Sequence, residues 1–139
     1  MRFFRAMDIN GTALGAQRLR LDLISTNIAN ATTTRTPEGG PYRRKVPVFA
    51  EDLNQAVAGN SILNGVRVLE ITEDQAPFRP VYDPSHPDAN AEGYVYYPNV
   101  NMVNEMVNLL EAGRAYEANV TAFNTAKEMF KAALSIGKA

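Results

Sequence analysis

Cysteine is absent from the 139 residues, which excludes disulfides and thiolate metal sites. Histidine occurs once, at His86, so imidazole clusters are excluded as well. Basic charge is not in excess: 14 Lys and Arg face 15 Asp and Glu, for a net charge of -1. Such a balance gives no pull toward nucleic acid or an anionic membrane. No stretch approaches the ~20 apolar residues of a membrane span. The start, Met1 to Asp8, lacks the apolar run of a secretory signal, and Asp8 and Asn10 interrupt it early. Export, if it occurs, is expected to proceed without cleavage. Catalytic signatures are missing too. No Gly-x-Ser-x-Gly elbow is present, and Gly39-Gly40-Pro41 is not followed by the Gly-Lys-Ser/Thr of a phosphate loop.

What is present is periodicity. Met7, Leu14, Leu21 and Ile28 recur every seven residues near the start, and Met102, Leu109, Tyr116, Phe123 and Phe130 do the same near the end. A seven-residue repeat keeps one stripe of a helix turned toward one partner. Phe3 and Ile24 join the first stripe; Met106, Val120 and Leu134 widen the second. Leu19 and Leu23 lie outside the first stripe, so more than one face of that helix wants cover. The composition, 45% hydrophobic and 21% charged, is that of a folded chain.

The first helix is expected from about Arg2 to Ala29, with good helix formers and no proline. Gly11 and Gly15 weaken it, which suggests close backbone packing or a flexible joint. Asn27, Asn30 and the threonines from Thr32 to Thr34 are expected to end it, and 36–41 reads as a loop. Tyr42–Phe49 reads as an edge strand because it contains Pro47. A short helical turn is expected over 52–58, and the best strand over Gly65–Thr72. Phe78–Tyr82 and Gly93–Tyr97 are shorter candidates, separated by turns from Asp83 to Asp88. Asn101 is a good N-cap for a last helix reaching about Ile136. Helices this long cannot bury their stripes against a small β module, which argues for an oligomer.

Candidate chemistry is thin. His86 lies between Asp83 and Asp88, a set at no recognised metal-ligand spacing; a turn-stabilising role suits these residue types better. Arg43-Arg44-Lys45 reads as an edge-strand guard rather than a nucleic-acid patch. Tyr94, Tyr96 and Tyr97 suit packing within the module or on a neighbour.

The run from Gln17 to Asn30, ending Asn27-Ile28-Ala29-Asn30, resembles the signature of bacterial flagellar rod and hook proteins. Glu105-Met106-Val107 and Tyr116-Glu117-Ala118-Asn119 resemble the matching C-terminal helix of that family. Three inner stretches are similar to its short, proximal rod members: Gly39-Gly40-Pro41-Tyr42 with the basic run after it, Tyr82-Asp83-Pro84-Ser85-His86-Pro87-Asp88, and Gly93-Tyr94 with Pro98-Asn99-Val100-Asn101. The resemblance implies an α+β fold, with long N- and C-terminal helices paired as a coiled coil and a small β-rich module inserted between them. Residues 1–34 with 99–139 would form the helical assembly domain, and 35–98 the module. The assembly interface would then comprise Met7, Leu14, Leu21, Ile24, Asn27, Ile28 and Asn30 on the first helix. On the second it would comprise Met102, Met106, Leu109, Tyr116, Val120, Phe123 and Phe130. The implied function is structural and non-enzymatic: a subunit of the hollow rod that carries torque across the periplasm, exported by the flagellar type III apparatus. The implied partners are copies of itself, other rod proteins, and adjacent ring and export-gate components. No cofactor, metal, nucleic acid or small-molecule substrate is implied. The alternatives are another proximal rod subunit, a helical export or assembly chaperone, and a small hydrolase built on Asp83, His86 and Asp88.

Overall fold

In the computed structural model, residues 2–51 and 65–137 are described, with side chains from Ala6 onward. Two long helices, α1 (Arg2–Ala29) and α2 (Met102–Ile136), flank four short strands. The strands are β1 (Lys45–Glu51), β2 (Val66–Glu73), β3 (Arg79–Tyr82) and β4 (Tyr94–Tyr97). Both helices have the bounds expected from sequence. The helical turn expected over 52–58, and the side chain of Phe3, lie outside the described residues.

The ends of the helices follow from local chemistry. Asn101 caps α2, its side chain accepting from the backbone N–H of Val103 at 3.0 Å and of Asn104 at 3.2 Å. Asn30 closes α1, its side chain donating back to the carbonyl of Thr26 at 2.9 Å. Asn27 departs from expectation. It remains inside the helix and does not end it, because tertiary partners take its side chain. After α1 the chain doubles back through a turn in which Gly39 and Gly40 hold φ of 90° and 78°, a region that favours glycine.

The β module consists of two separate two-stranded antiparallel ribbons, β1–β2 and β3–β4. Pro47 pairs opposite Ile71 within β1, tolerated because a two-stranded ribbon has only edge strands. Between Val48–Glu70 and Phe49–Val68 the register shifts. Leu69 is the extra residue, a bulge that bends β2. The β1–β2 ribbon packs along α1, whereas among the described residues no strand packs closely along α2. Thr12 on α1 seats the ribbon by accepting the N–H of Val66 at 3.2 Å. At Gly65, φ is +103° and a Cβ would collide with Thr12 Oγ1.

The helices run antiparallel in a defined register. Arg20 meets Glu111 at 3.9 Å and Asn27 meets Glu105 at 3.3 Å, so position numbers rise along one helix as they fall along the other. Ala16, Leu23, Ile24 and Asn27 are buried on α1, and Glu105 and Ala112 on α2. Met7, Leu14, Leu21 and Ile28 are half-buried, so the most buried line on α1 is offset from the seven-residue series. Gly11 and Gly15 interrupt neither the helix nor its exposure. Among the described residues a Cβ at either would meet nothing within 4 Å, so no close packing among those residues explains them. The accessible surface, 9780 Å², exceeds the ~7,100 Å² expected for a compact monomer of this mass. The chain is extended, with a thin core.

Candidate assembly surfaces and the buried polar node

Where the helix pair meets the β module, polar side chains converge in the core. Glu105, 1% exposed, projects from the first turn of α2 toward Asn27, also 1% exposed. One carboxylate oxygen accepts from Arg44 Nε at 2.8 Å; the other accepts from Asn27 Nδ2 at 3.3 Å. Asn27 uses all its capacity. Its Nδ2 also donates to the Lys45 carbonyl, while its Oδ1 accepts from Tyr42 Oη and the Lys45 N–H, each at 2.9 Å. Arg44 reaches Asp74 at 3.4 Å, and its N–H donates to Asn99 Oδ1 at 2.9 Å. Asn99 in turn donates to the carbonyls of Asp74 and Ala76. Asn108 completes the Glu105 shell at 3.5 Å.

A buried carboxylate is tolerated only when its charge is paired and its lone pairs are met, and both conditions hold for Glu105. Its place at the N-terminus of α2 adds the favourable end of the helix dipole. Burial raises the Tyr42 hydroxyl above its ordinary pKa, with the charges of Glu73 and Glu105 adding to the effect. This arrangement corrects the reading of Arg43-Arg44-Lys45 as an edge-strand guard. Arg44 turns inward to Glu105, and Arg43 lies 4.3 Å over the ring of Phe78.

A second surface is apolar and open. Along the start of α2, Met102, Val103, Met106, Val107 and Leu110 are exposed, Val103 and Leu110 by 68% and 65%. Beside them an open cleft of about 610 Å³ is lined by Ala31, Pro77, Pro98, Val100, Met102 and Val103 among others. Near the other end Met129, Leu134 and Ile136 are exposed. Leu109, Tyr116, Val120, Phe123 and Phe130 are half-buried. The seven-residue series of α2 thus splits, Met102 exposed and the others partly covered.

The loop residues act locally. Asp83 accepts from the hydroxyl of Ser85 at 2.6 Å and from its N–H at 3.1 Å, bonds that hold its carboxyl below its ordinary pKa. His86 Nδ1 accepts the N–H of Asp88, whose carboxylate takes the Thr34 hydroxyl at 2.8 Å. Asp83 and His86 are engaged in their own turn and the Asp88 carboxylate with Thr34 and Arg35, so the three are not gathered on a common centre. Among the described residues no cluster of three His, Cys, Asp or Glu side chains could hold a metal ion. Tyr82 and Tyr94 pack edge to face at 5.3 Å beside Gly93. A Cβ on Gly93 would lie 2.9 Å from the Tyr82 ring and 3.3 Å from Pro84. Pro98 is buried and Pro41 half-buried, while Pro87 is exposed.

Sequence reasoning missed Glu105, Arg44 and Asp74 as partners, and Val103, Val107 and Leu110 as exposed apolar positions. The available signal was Glu105 seven residues before Ala112, a charge set in the buried line of a helix.

The model of the flagellar basal body rod FlgEFG protein C-terminal family matches residues 91–136. Relatives align over nearly the whole length. The chain is 47% identical to the flagellar basal-body rod protein FlgC of Borreliella burgdorferi, covering 98% of each chain. It is 47% identical to FlgC of Bacillus subtilis over 99% of this chain and 100% of the relative. Against FlgC of Salmonella typhimurium the identity is 43%, with 99% and 100% covered.

Proposed function

Because the chain belongs to the FlgC family of flagellar basal-body rod proteins, we propose that its outward apolar face on α2 is the surface by which it polymerises into a torque-bearing rod. It is a structural subunit of the basal-body rod. Its partners are copies of itself and other rod proteins, with ring and export-gate components at the ends. Its place is the periplasmic rod, reached by type III export without cleavage.

The observation that carries this reading is the exposure of Val103, Met106, Val107 and Leu110 on one helix face, beside the apolar cleft. Each large apolar side chain left in water forgoes roughly 1.5–3 kcal/mol of burial. A contiguous set of this kind marks an interaction surface. Contacts of one surface with a different one on the next subunit do not close, and they generate a helical filament. The extended shape leaves area for such contacts on several sides. Residues of the sequence-derived stripes that are half-covered here, Leu21 and Phe123 among them, would complete their burial against neighbours.

Joint replacement of Val107 and Leu110 by Asp tests the surface. The variant chain is expected to keep its helical circular dichroism and to be exported, yet to be missing from isolated basal bodies, with motility lost. Normal incorporation and swimming would refute the assignment.

A further inference from the structure

We infer that the Asn27–Glu105 node is the device that selects the register of α1 against α2. A seven-residue repeat specifies which face of a helix is buried, but it fits nearly as well after a slip of seven residues. Much of the rest of the seam discriminates weakly between such registers, because Ala16 and Ala112 present little shape of their own. Asn27 and Glu105 differ from them in kind. They meet at 3.3 Å, both are 1% exposed, and their partners outside the two helices stand at fixed places: Lys45 at the start of β1 and Tyr42 for Asn27, and Arg44 for Glu105, the last two in the loop before β1. In the native register Arg20 lies opposite Glu111. A slip of seven residues would set it opposite Ala118 or Asn104, and would take Glu105 from Asn27. A buried carboxylate deprived of its shell is strongly unfavourable, whereas an apolar pair in its place carries no such preference. A polar side chain at one seam position selecting register in this way has precedent in coiled coils. The node also joins the helix pair to the β module, so choosing the register fixes where the module sits on the shaft.

The cysteine-free chain suits a direct test. Three full-length chains carry cysteine pairs: Arg20→Cys with Glu111→Cys, with Ala118→Cys, or with Asn104→Cys. A slip of seven residues is a shift of ~10 Å along the helix, beyond the reach of a disulfide without backbone movement. With the node intact, the 20–111 pair is expected to oxidise faster than either of the other two. With Asn27→Leu and Glu105→Leu added, the 20–118 or 20–104 pair is expected to form at least tenfold faster than with the node intact. Exclusive 20–111 crosslinking in that background would overturn the inference, as would a 20–118 or 20–104 crosslink forming faster than 20–111 with the node intact. If the double leucine variant fails to fold, Asn27→Ala is read in the same three chains. Appearance of a slipped crosslink supports the register role, and 20–111 alone overturns it. The readout is intramolecular, so its outcome is separate from whether the Val107 and Leu110 face docks on a neighbour.

Discussion

The two helices carry the same kind of seven-residue pattern, yet they are covered to different degrees. α1 is packed by α2 on one side and by the β1–β2 ribbon on another, and it buries Ala16, Leu23, Ile24 and Asn27. α2 buries only Glu105 and Ala112 and leaves Val103, Met106, Val107, Leu110, Met129, Leu134 and Ile136 exposed. The difference has a simple origin. The ribbon is seated on α1 through Thr12 and Gly65, and among the described residues no strand lies along α2. A hydrophobic stripe states what a helix is able to bury; the neighbour that arrives decides what is buried. In this chain α1 is the more covered helix, and the open face of α2 is the one proposed above to meet other subunits.

The contrast breaks most severely at the joint between the two helices. Glu105→Ala removes the acceptor of Arg44 and Asn27, and breaking a buried pair in this way costs about 3 kcal/mol. Urea unfolding followed by circular dichroism is expected to show that loss, with α2 losing hydrogen-exchange protection before α1. A change within 0.5 kcal/mol would mean that the node contributes little to holding the helices together.

A smaller loss is expected on the α1 side. Gly65→Ala puts a Cβ into Thr12 Oγ1 at a φ of +103°, and strain of this kind costs of order 1–3 kcal/mol. Exchange protection should fall in β1 and β2 and along the α1 face they cover, making α1 more like α2. Unchanged protection there would show that the ribbon does not depend on this seat.

The smallest effect is pH-linked and sits at the node. The Tyr42 hydroxyl donates to Asn27 and has a raised pKa in the folded chain, first through burial. The protonated form is therefore favoured on folding. Its stabilisation is complete below the ordinary value of 10.0 and is lost as pH rises through the higher folded value. Tyr42→Phe forgoes the hydrogen bond, about 1 kcal/mol at neutral pH. The gap between variant and wild type should narrow as pH rises above 10.0 in thermal unfolding. A gap constant with pH would contradict the assigned role.

Much of the fold was legible because it rests on local chemistry. The bounds of α1 and α2, the Asn101 cap, the strand core of Val66–Glu73 and the turns around Asp83 and His86 all follow from residue preferences within a few positions. Their meaning in three dimensions was less legible. Asn27 carries helix-ending chemistry, yet its amide is taken by Tyr42, Lys45 and Glu105 from outside the helix. Arg44 looks like a surface charge in a basic run, and only the arrival of α2 gives it a buried partner. Periodicity found the two helices but missed the buried line on α1 by two residues, at Ala16 and Leu23 rather than Leu14 and Leu21. Ile24 of the expected stripe is buried there too, but so are small Ala16 and polar Asn27, which hydrophobic counting undervalues.

On the reading proposed above, α2 is uncovered in the single chain because other rod subunits cover it in the rod. A cryo-electron microscopy map of the intact basal body, with this chain traced, tests it most directly. Val103, Met106, Val107 and Leu110 are expected to be packed against a neighbouring subunit. The same four side chains facing open solvent in the assembled rod would contradict it.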